Sequence, residues 1–254
     1  MSYTFYLRDG TPTKFSKKAF VQTYEKSYYL LSKDNEFYIP KVSVNSGVAE
    51  KNIQSILDNG ISDKEDVNRI LAWKIGGIDH KKSRNHIEFF DKWKGEKEDG
   101  KTIIKARYFK CEESAFKKFC ERLSDRAIEI ERTFHSGDGG LENALSKIIS
   151  VIDGEDKDES VPGLGPVYIL TILYFITKNE SPIFDRFAYT AVKAIYNGVT
   201  PDKIWYENPS SKNVKDIIRV IDEYKWYLTQ VFGSEKIIRE EDRALWVYGH
   251  LFNK

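Results

Sequence analysis

The run Val161-Pro162-Gly163-Leu164-Gly165-Pro166 and the carboxylate of Asp185, twenty residues after Gly165, are the two features of this chain best suited to chemistry. Glycines on either side of one apolar residue allow a tight turn with backbone angles that other residues resist. Pro166 can open a helix at no cost, because the N–H it lacks would have no partner there. Residues 166–178 read as that helix, with Leu164 at the loop tip packing between the flanking helices. The first N–H groups of such a helix are free and sit at the positive end of its dipole, so they suit an anion such as a phosphate. The plainer reading is an ordinary interhelical turn, since Pro and Gly punctuate many loops. Asp185 precedes a second helical stretch, 186–196, and Asp is a favoured N-cap. A fixed carboxylate can also stabilise positive charge developing on a sugar, most strongly where water is excluded, and can orient or deprotonate an attacking water. Capping and catalysis are compatible roles for one side chain.

The segment 161–165 resembles the helix-hairpin-helix loop L-P-G-[VI]-G, with Val161 at the first position. In the DNA glycosylases built on that motif, an aspartate follows about twenty residues later in a V-D-T-H-like segment. Ile183-Phe184-Asp185-Arg186 matches that location and keeps the aspartate, but departs from the pattern at Arg186 and Phe187. The resemblance covers roughly residues 155–195 and is closest to bacterial proteins with an 8-oxoguanine-glycosylase-like fold. It implies a catalytic role for Asp185. It implies that Gly163, Leu164, Gly165 and Val167 hold the DNA backbone, largely through main-chain N–H groups, with room for a structural monovalent cation as in relatives. Part of the base pocket in that group comes from the final helix. Tyr168, in the first turn after the hairpin, and Trp246, in the segment Asp242–His250, are therefore the expected base-pocket residues, with core packing as the alternative for both.

Family members that also cut the DNA backbone carry a lysine two residues after the second hairpin glycine. Val167 stands there, and valine cannot form a Schiff base. The resemblance thus implies a monofunctional enzyme that uses water to release a damaged or modified base and leaves an abasic site. Nothing in the spacing of Lys74 or Lys193 marks either as a substitute nucleophile. The implied partner is double-stranded DNA with a flipped base, and the chain is expected to act as a monomer. Repair and attack on foreign DNA with modified bases both fit. The rival readings are a noncatalytic helix-hairpin-helix DNA-binding protein, a bifunctional glycosylase/lyase, and a helical scaffold with an incidental turn.

The elements that must position these residues read as helices. Apolar residues recur at helical intervals over 16–32, 48–58, 64–75, 112–134 (with a break near Ser124), 141–152, 213–232 and 235–252. Thr4–Leu7 before Asp9-Gly10 suggests a small β-hairpin, and Lys101–Phe109, after a polar turn at Glu96–Gly100, has β character. The expected fold is all-α and two-lobed, with small β additions near 4–15 and 101–109. One barrel-like lobe would span 50–185, ending in the hairpin, and 1–49 with 186–254 would form the other. Asn45-Ser46-Gly47 is the loop suggested for a residue wedged into the duplex.

At 254 residues, with 41% hydrophobic and 31% charged residues, the chain suits a globular rather than a disordered protein. No apolar run approaches membrane-spanning length, and Met1–Gly10 lacks the pattern of a secretory signal, so a cytoplasmic location is expected. Net charge is +1, but it is uneven: residues 73–110 carry 11 Lys/Arg against 6 Asp/Glu, and residues 121–160 carry 5 against 11. That asymmetry suits a face for phosphates, or simply solvated helices of mixed charge. Cys111 and Cys120 alone cannot supply the four ligands of an iron–sulfur cluster, and read as reduced thiols on one helix. His80, His86, His135 and His250 have no zinc spacing, so no catalytic metal is expected.

Overall fold

The computed structural model describes residues 3–29, 47–74, 96–98, 100–106, 109–156, 159–209 and 212–252. These residues are mostly helical: α1 Lys17–Tyr24, α2 Gly47–Asn59, α3 Lys64–Lys74, α4 Glu113–Phe134, α5 Gly140–Asp153, α6 Pro166–Ile176, α7 Arg186–Asn197, α8 Val214–Phe232 and α9 Arg239–Phe252. The strands are short: β1 Thr4–Tyr6, β2 Pro12–Lys14, β3 Glu96–Glu98, β4 Lys101–Ala106 and β5 Phe109–Glu112. Among the described residues no helix is long and apolar enough to cross a membrane. The chain divides into two units. One takes in 45–181 and 210–218, the other 1–44, 182–209 and 219–254.

The 45–181 unit is built around α6. Tyr168 through Ile176 are all buried, so this helix has no solvent face. A helix that is apolar all round belongs at a centre, and α2, α3, α4 and α5 pack against it. α4 shows the one-sided alternative. Ala115, Phe116, Phe119, Cys120, Leu123, Ala127 and Ile130 form a stripe at three- and four-residue intervals and are buried, while its charged face stays outside. Lys64 on α3 reaches Glu121 at 2.6 Å, and Lys178 reaches Glu131 at 3.0 Å. Trp73 meets Phe175 edge-on at 5.9 Å.

The second unit has an aromatic core. β1 pairs antiparallel with β2, Phe5 opposite Thr13. Phe5 meets Phe20 at 5.4 Å, and Tyr248 of α9 meets Phe20 at 5.5 Å and Tyr24 at 5.0 Å. Edge and tilted contacts at these separations add to the area term in aromatic clusters. The Tyr248 hydroxyl accepts from the Tyr6 N–H at 3.1 Å, and the Tyr24 hydroxyl donates to the Tyr6 carbonyl, so the β-hairpin is tied into the helices by phenols. α7 and α9 approach so closely that a Cβ on Gly249 would lie 2.1 Å from the Phe187 carbonyl oxygen. Only glycine fits there.

Several elements depart from the sequence reading. Glu96–Glu98 is a strand, not part of a turn, because pairing with β4 (Glu96 opposite Ile103) supplies the backbone partners that its charged side chains gave no hint of. β4 pairs antiparallel with β5, making a three-stranded sheet. Cys111 therefore lies on β5 and Cys120 on α4, not on one helix. α4 runs unbroken through Ser124, whose hydroxyl donates to the Glu121 carbonyl at 2.8 Å. The first helix ends at Tyr24 and tightens into a 3-10 helix, Glu25–Tyr29. α9 starts at Arg239 rather than near 235. Asp185 falls in the unit made of 1–44, 182–209 and 219–254, apart from the hairpin's unit. Asn45 and Ser46, and most of the basic stretch 73–110, lie outside the described residues.

Candidate active site

The hairpin lies between α5 and α6. α5 ends at Gly154, whose N–H bonds to the Ser150 carbonyl at 3.1 Å and whose φ of 74° needs no side chain. The acidic segment that follows is anchored rather than simply solvated. Glu159 pairs with Lys118 at 2.9 Å and with Arg122, which also donates to the Glu159 carbonyl at 3.1 Å. The hydrogen bond from Lys118, with Arg122 adding to it, holds the Glu159 carboxyl below its ordinary pKa. Val161 then donates its N–H to the Ile152 carbonyl at 2.9 Å and buries its side chain.

The turn itself has Gly163 at φ 93°, left-handed backbone that a residue with a Cβ adopts only under strain. The Gly165 N–H closes it onto the Gly163 carbonyl at 3.0 Å. Leu164 is buried, as expected for the loop tip, whereas Pro162 and Gly163 are exposed. Gly165 is extended, at φ −84° and ψ −170°, and caps α6 ahead of Pro166. Its carbonyl accepts from Tyr168 and Ile169. The N–H groups of Gly163, Leu164 and Val167 have no hydrogen-bond partner among the described residues. Three amide donors therefore remain available at the start of α6, where the dipole also favours negative charge. The carbonyls of Pro162 and Leu164 likewise accept no hydrogen bond there, so the loop retains the oxygen donors a monovalent cation takes.

Asp185 caps α7. Its backbone is extended, at φ −142° and ψ 140°, and its carboxylate accepts from the Phe187 N–H at 2.9 Å. Ile183 and Phe184 before it are buried, Arg186 after it is exposed, and Asp185 itself is half-buried. Arg186 lies over the Phe187 ring at 4.5 Å, and the His250 imidazole lies tilted to that ring at 3.5 Å.

Four rings surround the start of α7. Phe184 and Tyr189 each contact both Tyr206 and Tyr224, at centroid distances between 5.4 and 6.4 Å. Tyr224 is fully buried. Its hydroxyl and that of Tyr206 have no hydrogen-bond partner, although each is sealed from solvent. A buried hydroxyl left so costs about 1–3 kcal/mol. Burial first, then the charges of Asp242 and Asp185, raise the Tyr224 pKa, and burial with Asp185 raises that of Tyr206. Sequence reasoning passed over both tyrosines. In a chain with 15 Tyr, nothing in composition or spacing separates them from core aromatics.

The remaining residues singled out from the sequence have local roles. Tyr168 is buried in the first turn of α6, beside the open amides. Trp246 is half-buried, edge-on to Tyr28 at 5.3 Å and tilted to His250 at 3.8 Å. Lys193 donates to Glu223 at 2.9 Å and to the Tyr189 hydroxyl at 3.1 Å. Burial works against its charge, but these bonds outweigh that and hold the pKa above the usual value, which suits an ion pair and not a Schiff-base nucleophile. Burial pushes the Cys111 thiol up to about 12 and that of Cys120 higher still, so neither is a reactive thiolate. Among the described residues, no three His, Cys, Asp or Glu side chains converge as a metal site. No protein-family model, curated protein or solved structure matches the chain.

Proposed function

We propose that the chain is a monofunctional DNA glycosylase of the helix-hairpin-helix class, hydrolysing the bond between deoxyribose and a damaged or modified base. The reading is supported by two features twenty residues apart in the sequence: a glycine turn with three amides lacking partners among the described residues at the head of a buried helix, and a half-buried carboxylate held at the head of the next helix. Gly163, Leu164, Gly165 and Val167 hold backbone phosphate, largely through main-chain N–H groups. Asp185 stabilises the cationic sugar and directs water at the anomeric carbon, so that the base leaves and the sugar carries a hydroxyl. Tyr168 and Trp246 remain the base-pocket assignments.

The test is incubation with duplex DNA carrying varied lesions and hypermodified bases, with released bases identified by mass spectrometry. Free base and an abasic strand are the expected products. No release from any substrate, with DNA binding retained, favours the one rival that a specific contact supports: a noncatalytic DNA clamp in which Asp185 serves only as the cap that bonds Phe187. Borohydride trapping is expected to give no covalent adduct, in line with Val167 at the lysine position and the paired state of Lys193.

A further inference from the structure

We propose that Arg186 clamps a phosphate of the bound DNA strand, its guanidinium held ready on the ring of Phe187. The inference rests on the DNA-binding part of the reading above and not on base release. Arg186 is exposed, and its guanidinium lies 4.5 Å from the Phe187 ring centroid. That ring is braced. The Phe187 N–H is held by Asp185 at 2.9 Å, and the His250 imidazole lies against the ring at 3.5 Å. His250 is set in turn by Trp246, whose ring is 3.8 Å away and whose carbonyl accepts from Nδ1 at 2.9 Å. A row of Arg186, Phe187, His250 and Trp246 thus joins the start of α7 to α9 within one unit.

The guanidinium at the end of this row has no carboxylate partner. Arg69, Arg122, Arg126, Arg239 and Arg243 each reach one. Among the described residues the Arg186 guanidinium takes part in no ion pair and no hydrogen bond, and it does not pair with Asp185 beside it in the chain. Arg8, Arg132 and Arg219 are exposed too, but among the described residues no ring lies under them. Stacking on a ring leaves the guanidinium N–H groups pointing outward in its plane and fixes the fork before a ligand arrives. Such a fork matches two oxygens of one phosphate, with its hydrogen bonds in parallel. DNA presents phosphates at short intervals along each strand, so the unneutralised cation meets a partner of complementary charge. The rings supply the rigidity and Arg186 supplies the attraction.

Arg186→Gln tests this by fluorescence anisotropy with a labelled duplex carrying an abasic-site analogue, titrated over a range of salt. Affinity is expected to fall roughly tenfold at low salt, and the slope of log affinity against log salt to shrink by about one. The melting temperature should match the parent's, because the side chain is exposed. Arg186→Lys keeps the charge without the fork, and is expected to restore the slope but only part of the affinity. Phe187→Leu keeps the cation and removes its support, so affinity should drop roughly threefold with the parent's slope. Arg8→Gln removes an equally exposed charge with no ring beneath it and should change neither quantity. An unchanged slope in Arg186→Gln, or an equal change in Arg8→Gln, overturns the inference. A parent chain with no DNA affinity at low salt overturns it together with the reading it rests on. No base release from any substrate, with the slope change present, ends the glycosylase reading alone.

Discussion

The hairpin and the start of α7 both present a polar group at the head of a helix, yet they do so by opposite means. At the hairpin the useful atoms belong to the main chain. The side chains of Val161 and Leu164 are buried anchors, and the N–H groups of Gly163, Leu164 and Val167 have no hydrogen-bond partner among the described residues. At α7 the polar group belongs to one side chain, Asp185, held by its bond from the Phe187 N–H. The first region should therefore answer to changes in backbone angle and ignore most changes of side chain. The second should do the reverse.

The sharpest break between them is Asp185→Asn. It keeps the shape and an oxygen for the cap but removes the charge, so base release should fall on the order of a thousandfold while DNA affinity, measured by titration, stays within about twofold. An equal loss in affinity and rate would erase the contrast. Next in size is Gly249→Ala, which forces α9 away from α7 at the Phe187 carbonyl. It should lower unfolding free energy by about 3 kcal/mol in urea denaturation and reduce rate and stability together. Gly163→Ala probes the other side. With φ at 93° it should strain the turn by about 1 kcal/mol and weaken DNA binding roughly tenfold, with cleavage of bound DNA little changed.

Smaller still is Glu223→Gln, which removes the partner of Lys193 on α7. Burial raises the Glu223 pKa, but hydrogen bonds from Lys193 and Tyr189 outweigh that and leave it below the ordinary value. Its contribution is therefore present above the unfolded carboxylate pKa and is lost as pH falls through the lowered folded value. The variant should be at most about 1 kcal/mol less stable than the parent at pH 7, and the two should converge as pH falls through the lowered folded value. Val167→Ala is expected to have the least effect, within about 0.5 kcal/mol in stability and twofold in binding, because its N–H survives.

The helices were legible because their cores are periodic. α4, α5 and α7 bury one stripe each, and α6 was marked by Pro166 at its start. The strands were half-legible. Ile103 and Ile104 pointed to β4, but Glu96–Glu98 and Phe109–Glu112 are strands by pairing, which is a property of partners far along the chain and not of local composition. The same holds for the buried charges of α9. Glu241, Asp242 and Arg243 look like a solvated first turn, and are buried because Lys17, Arg239 and Glu25 meet them. The hairpin and Asp185 stood out through glycine spacing and a capping residue. Tyr206 and Tyr224 did not, since an orphaned hydroxyl is a fact of three-dimensional packing.

α6 carries an evolutionary corollary. Nine successive positions, Tyr168 to Ile176, are walled in by neighbouring helices, so almost any replacement there must be answered by a second one nearby. Descendants of this sequence have little freedom to vary that segment. Divergence should instead accumulate where side chains are unconfined, as at Trp205, which is 82% exposed, leaving the buried helix as the slow-changing part of the lineage.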